Sequence, residues 1–277
     1  MSTKRILSAL LLSVLLAAQL LATEISVATM NCFLFFDPAI DHSGNVDSED
    51  PLTPAQFTQK TKNLASLVHG VGFVGLEETG GRSEIEALAK VGGFEWGFAK
   101  GKDTYTGEEV GALYHLPAWK VTVRGRVPAL DKLLSKHLYV TASQANHTVH
   151  LLVVHLIRPI GKNEEKHQAQ LAALKSWATD LAAKDPKATI VVMGDTNNTA
   201  KPKGTSLIGL GSEAGEKNGY AATHLNGSIY DRIILIGKGT IKDVQVVPPP
   251  YGAKPSKDEK KVWTDHYLLK ATIDIPD

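Results

Sequence analysis

The sequence predicts an α/β (α+β) fold, arranged as a four-layer sandwich of two mostly antiparallel β-sheets with helices outside. Three observations carry this. Apolar and β-branched runs outnumber helical patterns by about four to one. Several of those runs follow one another with only turn residues between them, which excludes a simple doubly wound parallel sheet. And 277 residues, 43% of them hydrophobic, without a low-complexity linker, suffice for one large domain with two stacked sheets.

The first 22 residues stand apart. Lys4 and Arg5 precede the apolar stretch Ile6 to Leu16, and small residues follow at Ala17, Ala18 and Ala22. This is the layout of a secretory signal peptide, too short for a comfortable membrane span. An uncleaved anchor is the rival reading, because Leu20 and Leu16 occupy the −3 positions of the two candidate cleavage sites. No cysteine lies there to carry a lipid. The expectation is a signal peptide over 1–22, a single domain over 23–277 without a stable membrane span, and a secreted or periplasmic location.

Strands are expected near 24–33, 72–77, 94–99, 109–115, 119–127, 137–144, 147–155, 188–194, 229–236, 242–247 and 267–274. Helices are expected over 54–69, entered through Thr53-Pro54, over 82–90, and over 163–183. The last shows Leu171, Leu174, Trp177, Ala178 and Leu181 on one face. Three irregular stretches remain: 37–52, 196–228 and 248–263. Long loops in compact domains often carry function. The third ends in Lys254, Lys257, Lys260 and Lys261, which reads first as a solvated loop and otherwise as a basic rim for phosphate.

Without Lys4 and Arg5 the domain has 28 basic against 29 acidic residues. Nothing global draws it to nucleic acid or anionic membranes, although Lys100, Lys102, Arg158, Lys162 and Lys201 could form a local patch. The only cysteine, Cys32, cannot form an internal disulfide and reads as a small buried apolar residue. An exported domain without disulfides relies on its core, which suits bacterial export.

Chemistry gathers at strand ends. The stretch VVMGDTNNT leaves a buried strand straight into Asp195 and Asn197. SVATMNCF runs into Asn31, FVGLEETGG into Glu77 and Glu78, and LLVVHLIRP into His155. Asp231 opens one late strand, and Asp265 with His266 precedes the last. Each has a local explanation: a cap, a satisfied core histidine, an Asp231–Arg232 pair. Together they are the residue types that bind a hard cation and a phosphate. Converging carboxylates repel one another unless a cation resolves the charge.

Asn, Leu-x-Glu, Val-x-His-Leu, Gly-Asp-x-Asn, Asp and x-Asp-His, in that order along nearly the whole mature chain, resemble the endonuclease/exonuclease/phosphatase superfamily, with its deoxyribonuclease-like fold. The likeness extends to bacterial members whose first strand ends Asn-Val-Glu-Asn-Leu-Phe-Asp; here the segment reads Asn31-Cys32-Phe33-Leu34-Phe35-Phe36-Asp37. The resemblance implies a metal-dependent phosphodiesterase. By it, Glu78 holds Mg²⁺ or Mn²⁺ with Asn31 beside it and Asp265 nearby. Asp195 and Asn197 position water and phosphate, and His155 contacts the scissile phosphate. Asp231 orients His266, and either Asp195 or His266 is the general base. Phe33 and Leu34 depart from the subfamily segment, Glu77 replaces its glutamine, Thr196 replaces a phenylalanine and Thr264 a serine.

The resulting expectation is a secreted, divalent-metal-dependent phosphoesterase that hydrolyses phosphodiester bonds of nucleic acid or nucleotides. Its alternatives are a phosphomonoesterase, a phosphatase acting on a phospholipid or inositol phosphate, or a binding module that has lost turnover. Metal-dependent cleavage of a bis-ester separates the enzymes from the module. No protein partner is evident.

Overall fold

A computed structural model describes residues 23–40, 51–102, 106–251 and 254–276. The expected signal peptide and most of the 37–52 stretch lie outside these residues. Two six-stranded sheets form the centre. The first takes the order β11-β12-β1-β2-β4-β3 from β1 (Thr23–Phe35), β2 (Phe73–Thr79), β3 (Glu95–Phe98), β4 (Glu109–Tyr114), β11 (Thr240–Val247) and β12 (Leu268–Ile275). The second takes the order β5-β6-β7-β8-β10-β9 from β5 (Lys120–Gly125), β6 (His137–Gln144), β7 (His147–His155), β8 (Thr189–Asp195), β9 (Ser212–Glu213) and β10 (Asp231–Gly237). Only β1–β2 and β7–β8 pair in parallel; the remaining pairs are antiparallel.

Each parallel pair needs a crossover, and a helix supplies it. Between β1 and β2 runs α1 (Pro54–Val68). Thr53 Oγ1 accepts the Gln56 N–H while Gln56 reaches back to the Thr53 N–H, a full capping box with proline at the first turn. Between β2 and β3 runs α2 (Arg82–Gly92), closed by Gly93 at φ +73°. Between β7 and β8 a 3₁₀ turn leads into α3 (Glu164–Lys184).

Three buried clusters define the layers. Ile25, Val27, Leu138, Val140, Leu151, Val153, Met193 and Ile233 fill the space between the sheets. Met30, Leu64, Val68, Leu76, Ile85 and Leu88 seal α1 and α2 to the first sheet. Leu152, Val154, Leu171, Leu174, Ile190 and Val192 seal α3 to the second. The four-layer expectation holds, because the central strands carry apolar side chains on both faces.

Two stretches read as irregular contain short elements. The 196–228 segment holds β9 and a one-turn helix, α4 (Ala214–Lys217). The 248–263 segment holds α5 (Lys257–Val262), entered through a Ser256/Glu259 capping box. Its lysine density suggested a loop; the Ser-x-x-Glu spacing was the overlooked signal.

Candidate active site

Register brings the polar strand ends together. In the first sheet Asn31 pairs with Glu77. In the second, His155 pairs with Asp195, and Asp195 with Asp231. Both parallel pairs therefore finish at one end of the sandwich, where β10 begins. The sequence around the β12 start folds in beside them: Thr264 Oγ1 donates to the Asn31 carbonyl at 2.7 Å and accepts the His266 N–H at 3.0 Å.

Backbone distortion aims these residues. Of seven described non-glycine residues with positive φ, four border the site: Phe33, Leu34, Glu78 and Asn197. Register shifts at the ends of β1 and β2 accompany the first three. Such bulges re-aim side chains at strand ends and are held only where surroundings over-determine them. Gly194 is required by contact: a Cβ there would lie 1.8 Å from the Val154 carbonyl oxygen.

Asn31 Nδ2 donates to Glu78 Oε1 at 2.8 Å and to Asp195 Oδ2 at 3.1 Å, while its Oδ1 accepts the Phe33 N–H at 2.8 Å. In this hydrogen-bond assignment Asn31 bridges two carboxylates through its amide nitrogen. Asp195 Oδ1 accepts the Asn197 N–H at 2.7 Å. Asn197 Nδ2 lies 3.3 Å from His155 Nε2 and 3.0 Å from the Leu156 carbonyl it donates to. His155 Nε2 is 3.7 Å from Asp195 Oδ2 and 3.9 Å from Glu78 Oε1. Burial, then the Lys136 charge, lower the His155 pKa.

His266 Nδ1 sits 2.8 Å from Asp231 Oδ2, and its Nε2 3.9 Å from Asp195 Oδ2. Burial opposes charging of this ring, but the Asp231, Asp195 and Glu78 carboxylates outweigh it and raise its pKa to about 10. The local Asp231–Arg232 pair does not form. Arg232 instead binds Glu213 Oε1 at 2.8 Å and the Asn198 and Ala200 carbonyls at 2.8 and 2.7 Å, so it clamps the loop leaving Asn197.

Asp265 sits apart in its contacts, beside His224, with 3.4 Å between Nε2 and Oδ2. His224 packs edge-on against the His266 ring, with centroids 4.6 Å apart. Of the expected ligands, Asn31 and Glu78 thus share a direct bond, and Asp265 adjoins the histidines.

Sequence reading missed Glu108. It lies within ligand reach of Glu78 and His155 and pairs with buried Lys136. Its signal was the rule that selected Glu78, a carboxylate beside a buried strand. Burial, then the Glu108 charge, raise the Glu78 pKa to about 8. Asp265 Oδ1 is buried without a hydrogen-bond partner. Two carboxylates this close, with Glu78 held above the usual range partly by its neighbour's charge, fit a divalent cation that Glu78 and Glu108 could hold. Glu77 is different: fully buried, its pKa is raised well above the ordinary range by burial and by Asp231. Burial thus favours its protonated form, and Thr29 donates to it at 2.8 Å.

The site opens into a cleft of about 620 Å³ lined by Glu78, Glu108, Lys102, Lys136, Arg158 and Lys166 among others. Lys102 and Arg158 belong to the basic patch expected from sequence; Lys100, Lys162 and Lys201 do not line the cleft.

No known family profile and no curated protein matches the chain. Solved structures do. TDP2 from C. elegans superposes with a TM-score of 0.60 at 14% identity, over 91% of this chain and 75% of that one. D. rerio TDP2 complexed with a single-stranded DNA product gives 0.60 at 14% identity, over 91% and 99%. The endonuclease/exonuclease/phosphatase from Bacteroides vulgatus gives 0.61 at 13%, over 91% and 99%. With this topology, and with its strand-end polar residues gathered at one end of the sandwich, the chain has the fold of the endonuclease/exonuclease/phosphatase superfamily.

Proposed function

We propose that the chain is an exported, divalent-metal-dependent phosphoesterase that hydrolyses phosphodiester bonds, with nucleic acid or nucleotides as its substrates. The observation that carries this reading is the convergence of Asp195 and the Asp231–His266 pair on Glu78, His155 and Asn197, three residues that line the cleft. A bound Mg²⁺ or Mn²⁺ supplies charge neutralisation on the phosphoryl oxygens. The protein supplies the rest. Asp195 keeps Oδ1 engaged by the Asn197 N–H and receives a water proton at Oδ2. The Asp231 carboxylate fixes the His266 ring through Nδ1 and favours the imidazolium, so Nε2 donates to phosphate. Asn197 Nδ2 and neutral His155 add oriented donors and acceptors around the same group.

Lys102, Arg158 and Lys166 along the cleft support a substrate with further phosphates, and a fold neighbour solved with single-stranded DNA product supports nucleic acid. The signal-like layout of residues 1–22 supports export; an N-terminus that begins after residue 22 on protein recovered outside the cytoplasm tests it.

The deciding experiment compares bis(p-nitrophenyl) phosphate, p-nitrophenyl phosphate and a single-stranded oligonucleotide with Mg²⁺, with chelator, and in Glu78→Gln. Expected are turnover of the diesters that chelation abolishes, loss of turnover in Glu78→Gln, and loss there of the melting shift that Mn²⁺ induces in the wild type. Unchanged turnover in Glu78→Gln overturns the assignment.

A further inference from the structure

Lys60 sits in mid-α1, where lysines ordinarily face water. Instead it is 1% exposed and runs beneath the site end of β1. Its ammonium donates to the Phe33 carbonyl at 2.5 Å and lies 5.4 Å from the centre of the Phe33 ring. It also interacts electrostatically with Asp265 and Glu78. Burying a charge is costly, and an apolar side chain would fill an interior helix position at no such cost. The interaction it makes must therefore matter to this turn.

The turn is strained. Phe33 and Leu34 stand in succession at φ +52° and +53°, a region bulky L residues resist. Polar contacts among the described residues pin it: Phe33 N–H on Asn31 Oδ1, Phe36 N–H on the Leu34 carbonyl, Leu34 N–H on Glu78 Oε2, and Lys60 on the Phe33 carbonyl. The third reaches the carboxylate itself, at 3.3 Å. The fourth is the only one made by a side chain from outside the strands.

We propose that Lys60 is a positioning residue for metal binding: by locking the Phe33–Leu34 turn it holds Glu78 in the orientation that receives a divalent cation. This rests on Glu78 being the metal carboxylate. An alternative role for Lys60, filling space in the α1 layer, predicts a stability effect alone.

The two separate in Mn²⁺ binding, followed by the electron paramagnetic resonance of the free aqua ion. Lys60→Met keeps length and helix propensity and removes the charge. Its Mn²⁺ affinity is expected to fall about tenfold or more, the scale of outer-shell partners. The Mg²⁺ concentration for half-maximal activity should rise by the same factor, with kcat at saturating Mg²⁺ less affected. Lys60→Arg should restore part of the affinity. Adding Leu34→Gly to Lys60→Met should restore most of it, because glycine takes positive φ without penalty; this double variant also serves should Lys60→Met alone not fold. Wild-type Mn²⁺ affinity in Lys60→Met, or no recovery in the double variant, overturns the proposal. Glu78→Gln run alongside keeps the two readings apart: retained Mn²⁺ binding there overturns the Glu78 assignment, and the role of Lys60 with it.

Discussion

Gly194→Ala tests how the two sheet halves of the site are held in register. Gly194 lies opposite Val154 in the parallel β7–β8 pair, one residue before the His155–Asp195 row. An alanine Cβ there would sit 1.8 Å from the Val154 carbonyl oxygen and 2.9 Å from its carbonyl carbon. Carbon–oxygen contacts stop at about 3.3 Å, so the strand ends must part by about 1.5 Å. Both strands are buried and hydrogen-bonded on either side, so the displacement falls on the site end, where β8 is leaving the sheet. A shift of about 1 Å in a catalytic geometry costs about 10²-fold in rate. The backbone, at φ +141°, adds strain of about 1–3 kcal/mol, and overpacking adds a similar amount. The variant should therefore lose about 2–6 kcal/mol in urea unfolding and at least about 10²-fold in diester kcat. Gly70→Ala is the control: φ is +78° there, but nothing lies within 4 Å of the added Cβ, so only about 1–2 kcal/mol of backbone cost is expected, with turnover intact. Equal stability losses in the two variants, with kcat unchanged in Gly194→Ala, would refute the close-contact reasoning.

Other perturbations reach separate parts of the molecule. His266→Ala should cost about 10²–10⁴ in kcat, and adding Asp231→Asn should cost little more, since the pair acts as one unit; effects that multiply in the double-mutant cycle would count against the pairing. Arg232→Met leaves Glu213 charged and buried, which should destabilise by about 3–5 kcal/mol in denaturant unfolding, with partial recovery in Arg232→Met/Glu213→Gln; a loss no larger than that of an exposed lysine would refute this. His137 is fully buried, accepts the Val127 N–H at Nε2 and donates from Nδ1 to the Leu134 carbonyl, and burial lowers its pKa from 6.5 to about 4. The unfolded chain therefore takes up this proton first as pH falls. The stability that His137 contributes is complete above about pH 6.5 and is lost progressively toward pH 4, by up to about 3 kcal/mol. His137→Gln, which keeps an acceptor, should flatten that part of the stability–pH curve measured by urea unfolding, and an unchanged slope would exclude His137 as its source.

What was legible in the sequence is what local physics decides. Asp195 and Asn197 could be singled out because a buried apolar run ended in them at once, and Glu78, Asn31 and His155 by the same rule. The two-sheet architecture followed from consecutive strands with apolar side chains on both faces. Glu108 obeyed the same rule, but what marks it is its approach to Glu78 and His155, which the fold alone creates. Lys60 carried no signal at all: on a helix, only the partner surface decides whether a lysine is buried, and that surface is the β1 turn 27 residues earlier in sequence.

The sequence by itself determined the order of the elements, their two-sided burial and the polar residues at their ends, since these depend on periodicity, turn chemistry and capping within a few residues. Tertiary structure alone decided the partnerships. Asp231 faces His266, 35 residues away, and not adjacent Arg232, because successive strand residues point to opposite faces of the sheet. Arg232, turned to the other face, meets Glu213 on the neighbouring strand and clamps the loop after Asn197. Sheet register and the stacking of the two sheets set those distances, and neither is written in any single stretch of the chain.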